Sequence, residues 1–444
     1  MNVHFIAIGG SAMHNLAIAL HKKGYRVTGS DDEITDPSLT RLQKYGLLPG
    51  SMGWDVSRIH PGLDAVILGM HARADNPELA RARDLGLKIF SYPEYLYEQS
   101  KEKIRVVIGG SHGKTTITAM ILHVLQHCEI EADYMVGAQL EGFEVMVKLS
   151  EGSKYMILEG DEYLTSPIDR RPKFHVYRPD IALLSGIAWD HINVFPTFEE
   201  YVEQFRIFIR MVPPGGTLIW CGEDEELRKI CRERTDIRNL PYSFPVYRLE
   251  KGITTILFED KSYPLKVFGR HNLLNLEGSR LVCEQMGVTP LQFYEAIQTF
   301  GGASRRLERV SGNREMSVFR DFAHSPSKVK ATIQAVKSQY PGRKLIACLE
   351  LHTFSSLSRV FLPHYLGTMD EADVAIVYFN PHAVQLKKLP EVDPEEILRG
   401  FGKAGLEVFS DSALLKERLQ KEDWKNKNLL LMSSGNFDGM EFKA

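Results

Sequence analysis

The chain has 444 residues and a formal net charge of −3, from 54 Lys plus Arg against 57 Asp plus Glu, with 43% hydrophobic residues. A nearly balanced charge excludes an electrostatic case for nucleic acid or an acidic membrane surface, so small-molecule partners are expected, and the length allows about three domains. The five cysteines are odd in number and include no CxxC pair, so neither a disulfide framework nor a zinc ribbon is suggested. No apolar run reaches the roughly 18 residues of a membrane span and no basic leader precedes the first strand, so the chain reads as cytoplasmic with reduced thiols.

From Asn2 to about Ser100, short apolar runs alternate with amphipathic helices: strands from Val3 to Ile8, Tyr25 to Gly29 and Ala65 to Gly69, and a helix from Ala12 to Lys23. Such alternation implies a parallel, doubly wound α/β sheet. The first turn, Gly9-Gly10-Ser11-Ala12, resembles a dinucleotide fingerprint, with Asp31 about 20 residues later. Ala7 and Ala12 stand where its glycines belong, so a diphosphate site and a plain strand-to-helix turn both fit. Gly29-Ser30-Asp31-Asp32 also reads as a solvated turn, and the stretch from His71 to Glu78 as a helix start, with Asn76 capping before Pro77. The polar segment from Glu98 to Lys103 reads as a linker.

The second alternating stretch opens with Val106-Val107-Ile108-Gly109-Gly110-Ser111-His112-Gly113-Lys114-Thr115-Thr116, an apolar run, a glycine turn and then a helical pattern from about Ile117 to His127. That order is a phosphate site, because the glycines turn backbone N–H groups inward, the helix start adds its positive end and Lys114 adds a full charge. Thr115 is placed to give its hydroxyl to Mg2+. Ile108 replaces the first glycine of the GxxxxGK[ST] spacing, so the loop is a shortened variant. The strand Tyr155-Met156-Ile157-Leu158 ends in Glu159-Gly160-Asp161-Glu162, and the strand from Ile181 to Leu184 leads to Asp190-His191. Ligands gather at strand ends in open parallel sheets, which makes Glu159 a candidate Mg2+ carboxylate. Imidazole is unusual for Mg2+, so His191 has a structural reading beside the ligand one.

Short strands follow from Val246 to Glu250, Thr254 to Phe258 and Tyr263 to Val267, read as hairpins appended to this nucleotide unit. Gly269-Arg270-His271-Asn272 opens a helix reaching Met286, where Asn272 either faces a base or caps the helix. Gly301-Gly302-Ala303-Ser304-Arg305-Arg306 reads as a hinge. Beyond it a third alternating unit has strands from Ser317 to Asp321, Leu345 to Leu349, Val374 to Tyr378 and Leu429 to Met432.

Six ordered motifs, Gly110 to Thr116, Glu159 to Glu162, Asp190-His191, Gly269 to Asn272 with Asn275, Arg305-Arg306 and Asp321-Phe322-Ala323-His324-Ser325-Pro326, resemble the Mur ligase family over nearly the whole chain. The resemblance implies three domains: a Rossmann-like UDP-substrate domain over 1–101, a P-loop ATP domain over 102–302 and a Rossmann-like C-terminal domain over 303–444. It implies an ADP-forming amide ligase using ATP and Mg2+, working through an acyl phosphate of its carboxylate substrate. By the same resemblance, Gly110, Ser111, His112, Gly113, Lys114, Thr115, Thr116, His271, Asn272, Asn275, Arg306 and Asp321 hold ATP. Thr115, Glu159 and His191 hold Mg2+. Lys114, Glu159, His191, Arg306 and His324 serve the chemistry, and Gly9, Gly10, Ser11, Ala12, Ser30, Asp31 and His71 the UDP substrate.

Within the family, Ile8-Gly9-Gly10-Ser11-Ala12-Met13 resembles the branch acting directly on UDP-N-acetylmuramate. Asp161-Glu162-Tyr163, the stretch from Asp169 to Phe174 and the stretch from Leu431 to Gly439 resemble enzymes that attach a recovered peptide, L-Ala-γ-D-Glu-meso-diaminopimelate, in peptidoglycan recycling. Addition of L-alanine is the alternative. Glu350-Leu351-His352-Thr353-Phe354 replaces the Glu-Pro-Arg expected of the peptide branch, and Phe205 stands where later-acting members carry a modified lysine. A non-catalytic nucleotide-binding protein on the same scaffold is the reading from another class. Oligomeric state is left open.

Overall fold

The structure is a computed structural model and describes every residue except 71, 141, 167–168, 190–193, 251, 441 and 443–444. Four strands form the first sheet in the order Arg26–Ser30, Asn2–Ile6, Ala65–Leu68, Ile89–Ser91, all parallel. Val3, Phe5, Ile6, Val66 and Ile67 are buried, the pattern of parallel strands covered on both faces. The helix Pro77–Asp84 begins as its sequence predicts: the Asn76 side-chain oxygen accepts the N–H groups of Glu78 and Leu79 at 2.9 and 3.1 Å.

The segment expected as a linker is instead packed. The helix Tyr92–Ser100 runs through its first half from a Ser91/Glu94 capping box, and Ser100 is buried. The Arg105 guanidinium then ties the connection down by donating to the carbonyls of Ser100, Lys101 and Lys103. Local polarity marked a surface element; it did not distinguish a loop from a helix end.

The central sheet has seven strands in the order Arg238–Tyr242, Thr217–Cys221, Ile181–Leu184, Ile104–Gly109, Tyr155–Glu159, Asp133–Met135, Val147–Lys148, with only the last pair antiparallel. The strand Ile104–Gly109 lies between Ile181–Leu184 and Tyr155–Glu159, so three strand ends carrying predicted site residues lie side by side. A six-stranded sheet closes the chain in the order Glu308–Gly312, Met316–Asp321, Lys427–Met432, Lys344–Leu351, Val374–Phe379, Glu407–Phe409, with only the first pair antiparallel.

Two compact units result: Met1–Ile187 with Glu199–Tyr242 and Gly278–Pro290, and Ala188–Phe198 with Ser243–Glu277 and Leu291–Ala444. The antiparallel strands Tyr247–Glu250, Ile253–Phe258 and Lys261–Pro264 thus fall in the second unit, not with the nucleotide loop as the sequence order suggested. Their attachment is specific. Gln339 donates to the Gly252 carbonyl and accepts from Thr254 Oγ1, and the Phe268 ring meets those of Phe319 and Tyr340 at 5.7 and 6.1 Å. All five cysteines are free thiols, four of them buried. Among the described residues, no helix is long and apolar enough to cross a membrane.

Candidate active site

The loop after Ile104–Gly109 needs its glycines. Gly110 has φ 127°, and a Cβ there would come within 2.9 Å of the Ser185 backbone nitrogen. The neighbouring strand end braces the loop, with Ser111 N–H donating to the Gly186 carbonyl at 3.0 Å and Ser185 Oγ to that of His112. Gly113, at φ 82°, precedes the helix Lys114–His127, which has no side-chain cap. The helix therefore starts at Lys114, three residues earlier than its hydrophobic pattern, with Thr115 and Thr116 buried in its first turn. Uncapped N–H groups at a helix start are an anion site.

Lys114 Nζ donates to the Gly110 carbonyl at 2.7 Å and to Glu162 Oε2 at 2.6 Å, with Asp161 Oδ1 4.0 Å away. Burial by itself would lower the Lys114 pKa; the carboxylates of Glu162 and Asp161 reverse that and hold it above the usual lysine value. Thr115 Oγ1 donates to Glu159 Oε1 at 2.6 Å, and the N–H of Gly137 to Glu159 Oε2 at 2.8 Å. Glu159 is buried, and burial, with the Asp161 carboxylate adding to it, keeps its carboxyl above the usual range against these two hydrogen bonds. A buried hydroxyl and carboxylate are hard oxygen donors suited to Mg2+. Among the described residues, no group of three or more His, Cys, Asp and Glu forms a metal cage. His191 lies outside the described residues.

In the second unit, His271, Asn272 and Asn275 share the first turns of the helix Arg270–Gln285. Asn272 does not cap this helix: it lies inside it and donates to the Phe268 carbonyl at 2.8 Å. Asn275 Nδ2 points back to Asn272 Oδ1 at 3.5 Å. His271 Nδ1 is buried with no hydrogen-bond partner, and burial pushes the ring's pKa down to about 4, so the imidazole is neutral near pH 7. An orphaned buried ring nitrogen beside two amides suits a planar base with its own donors and acceptors. The Arg306 guanidinium lies 4.4 Å over the Phe322 ring. Asp321 accepts the N–H groups of Leu307 and Ala323, both at 2.6 Å; burial raises its carboxyl pKa, while Arg306 pulls it back. His324 Nδ1 lies 2.8 Å from the Phe322 carbonyl.

At the first turn, Ala7 adopts φ 68°, a left-handed conformation expected of the glycine it replaces. The helix Ser11–Lys22 follows Gly10 with no side-chain cap, leaving the amides around Ser11 and Ala12 in an anion-friendly turn. Gly9 N–H donates to Asp31 Oδ2 at 2.7 Å, and burial, with Asp32 beside it, raises the Asp31 pKa. Ser30 is fully buried and its hydroxyl is given to Glu78, a carboxylate that also accepts the Asp55 N–H at 2.8 Å. The structure thus ties the Ser30 side chain to the helix Pro77–Asp84. His71 lies outside the described residues.

Sequence reasoning passed over the partner that Glu162 makes for Lys114, and over Tyr201, whose hydroxyl lies 2.8 Å from Ser111 Oγ. Tyr201 belongs to the amphipathic helix Phe198–Arg210, where an aromatic at a buried position reads as core. Its hydroxyl was the only signal of more, since a buried phenol needs a partner.

Comparison with known proteins agrees with this geometry. Residues 2–103 match the pattern described as the Mur ligase family, catalytic domain; residues 108–283 match the Mur ligase middle domain; and residues 305–435 match the Mur ligase, glutamate ligase domain. The UDP-N-acetylmuramate–L-alanyl-γ-D-glutamyl-meso-2,6-diaminoheptandioate ligase of Escherichia coli K12 is 26% identical over 454 aligned positions, covering 100% of this chain and 97% of the relative. The UDP-N-acetylmuramate–L-alanine ligase of Pelodictyon phaeoclathratiforme is 30% identical, covering 98% of this chain and 92% of its own length. The crystal structure of a murein peptide ligase from Psychrobacter arcticus superposes with a TM-score of 0.68 over 99% of this chain and 97% of that one, at 23% identity, a likeness of three-domain α/β fold. With three domain patterns in order and a 30% identical relative matched along nearly its whole length, the chain belongs to the Mur ligase family of ATP-dependent, ADP-forming ligases.

Proposed function

We propose that this chain joins the lactyl carboxylate of UDP-N-acetylmuramate to the amine of L-Ala-γ-D-Glu-meso-diaminopimelate, a step of peptidoglycan recycling. Its domains divide in this reading at 1–101, 102–302 and 303–444. The observation that carries the phosphoryl half is Lys114 in a braced glycine loop, with Thr115 hydrogen-bonded to the buried Glu159. Bound Mg-ATP would supply the phosphoryl group and neutralise the charge that develops as it moves. Lys114 and the loop amides from Gly110 to Thr116 orient the phosphates; Thr115, Glu159 and His191 hold Mg2+. His271, Asn272 and Asn275 face the base, Asp321 the ribose and Arg306 the phosphates, while His324 lies by the acceptor carboxylate. The turn from Gly9 to Ala12 takes the UDP moiety, with Ser30, Asp31 and His71 beside it.

For the amine, a cavity of about 190 Å³ at the strand ends of the second unit favours the peptide. Arg305, Arg320, Asp321, Ser433 and Asn436 are among its lining residues. Two guanidinium groups suit an amine substrate bearing several carboxylates, and L-alanine carries one. Glu350 braces the cavity wall by accepting the Ser433 hydroxyl and the Phe437 N–H, the latter at 2.7 Å. His352 Nδ1, 3.7 Å from Glu350 Oε1, takes the place of the arginine expected of peptide-adding relatives. That departure, with the likeness to the L-alanine ligase of Pelodictyon, supports L-alanine as the second reading.

ADP release from Mg-ATP and UDP-N-acetylmuramate, compared between the tripeptide and L-alanine, decides between them. We expect kcat/KM to favour the tripeptide tenfold or more; a preference for L-alanine moves the chain to the first amino-acid addition of the pathway.

A further inference from the structure

Glu162 is a buried carboxylate, 2% exposed, on the residues that follow the strand Tyr155–Glu159. Its two oxygens have different tasks. Oε2 accepts from Lys114 Nζ at 2.6 Å; Oε1 accepts from the Tyr201 hydroxyl at 3.2 Å. That same hydroxyl is 2.8 Å from Ser111 Oγ, inside the phosphate loop, and Lys114 in turn donates to the Gly110 carbonyl at 2.7 Å. A ring of contacts therefore leaves the loop at Ser111, passes through Tyr201 and Glu162, and returns at Lys114 and Gly110.

The far side of this ring is anchored. Tyr201 is fully buried, its ring 5.2 Å from that of Phe205, which stands 5.5 Å from Phe174. A phenol fixed by aromatic packing donates a fixed hydrogen bond to Glu162, and Glu162 accepts one from an ammonium that otherwise rotates on a flexible stem. An ammonium has three N–H groups. The two held by Gly110 and Glu162 set the direction of the third.

We propose that Glu162, held by Tyr201, is a positioning residue that aims the Lys114 ammonium at the phosphoryl group being transferred. Its charge also offsets part of the attraction between Lys114 and a resting nucleotide. Its benefit therefore lies in the transition state, where orientation counts, and not in ground-state binding. Glutamine at 162 carries no charge and keeps one acceptor oxygen, so where that oxygen faces Lys114 the amide turns an NH2 donor toward the Tyr201 hydroxyl in place of the acceptor.

The test compares E162Q and Y201F with the parent protein, using whichever amine the parent turns over, so that a wrong choice of amine overturns the amine reading alone. Steady-state ADP release gives kcat and the KM for ATP; calorimetry with Mg2+ and a non-hydrolysable ATP analogue gives binding without any acceptor. For E162Q we expect kcat to fall tenfold or more, with the KM for ATP and analogue affinity no more than threefold weaker. Y201F removes a single hydroxyl and keeps its ring packing, so it answers the question even where E162Q folds poorly; kcat should fall threefold or more while the melting temperature drops by only a few degrees, the cost of one buried hydrogen bond. A kcat within twofold of the parent in Y201F, or a loss that appears in the KM for ATP while kcat is kept, overturns the proposal.

Discussion

The turn after Asn2–Ile6 and the loop after Ile104–Gly109 both carry the chain from a buried parallel strand into a helix start without a side-chain cap, at Ser11 and at Lys114. The first places a carboxylate under its glycine N–H, Asp31 against Gly9, and takes its left-handed bend at Ala7. The second takes its bends at Gly110 and Gly113 and sets an ammonium and a hydroxyl in the first helical turn, each with a buried carboxylate partner. Strand-to-helix geometry alone makes an anion-friendly end in both places. The side chains of the first helical turn decide whether such an end can only hold a phosphate or can also follow charge as it moves.

The largest expected effect comes from making the second loop resemble the first. Lys114→Met should lower ADP release by a thousandfold or more, about 4 kcal/mol of transition-state stabilisation. A loss below tenfold would break the comparison, leaving the loop as a holding turn. The same substitution strands Glu162 in the interior without its cation, so the melting temperature should also drop. The double variant K114M/E162Q should recover melting but not activity, which separates the two consequences.

Thr115→Ala removes the hydroxyl that donates to Glu159. Titrating Mg2+ in the ADP assay should show half-saturation moved up by about tenfold, since the proposed metal site then loses one of its few protein oxygens. An unchanged Mg2+ requirement would assign Thr115 to packing alone. In the first turn, Asp31→Ala leaves the N–H groups of Gly9 and Asp32 without their acceptor, at a cost of about 1 kcal/mol in urea denaturation. Its kinetic effect should appear in the KM of the uridine nucleotide and spare that of ATP. The smallest effect is expected from Ala7→Gly: relief of about 1 kcal/mol of left-handed strain is partly cancelled by a more flexible unfolded chain, for a net gain below about 1 kcal/mol in thermal melting. A loss of stability would mean that the alanine methyl packs usefully enough to outweigh its bend.

Most of the architecture was legible because it follows from local rules. Alternation of apolar runs with helical patterns predicted the parallel sheets, the Asn76-Pro77 pair predicted its helix start, and the glycine spacing before Lys114 and Thr115 predicted a tight turn into a helix. Each signal lies within a few residues of the structure it produces. Boundaries were less legible where polarity had two meanings, as in the stretch from Glu98 to Lys103, part of which is the end of a packed helix.

What the chain order could not show are pairings across long sequence separations. Lys114 meets Glu162 48 residues away, and Glu162 meets Tyr201 after another 39. Gln339 draws the strand Ile253–Phe258 to the second unit across more than eighty residues. The Ser30 hydroxyl is turned inward to Glu78 although its neighbours read as a solvated turn. A sequence pattern carries the spacing of side chains along one element and thus determined the α/β order, the glycine turn before Lys114 and the helix starts. Which buried carboxylate meets which ammonium depends on how separate elements pack, because a desolvated charge takes whichever partner the assembled fold brings within reach.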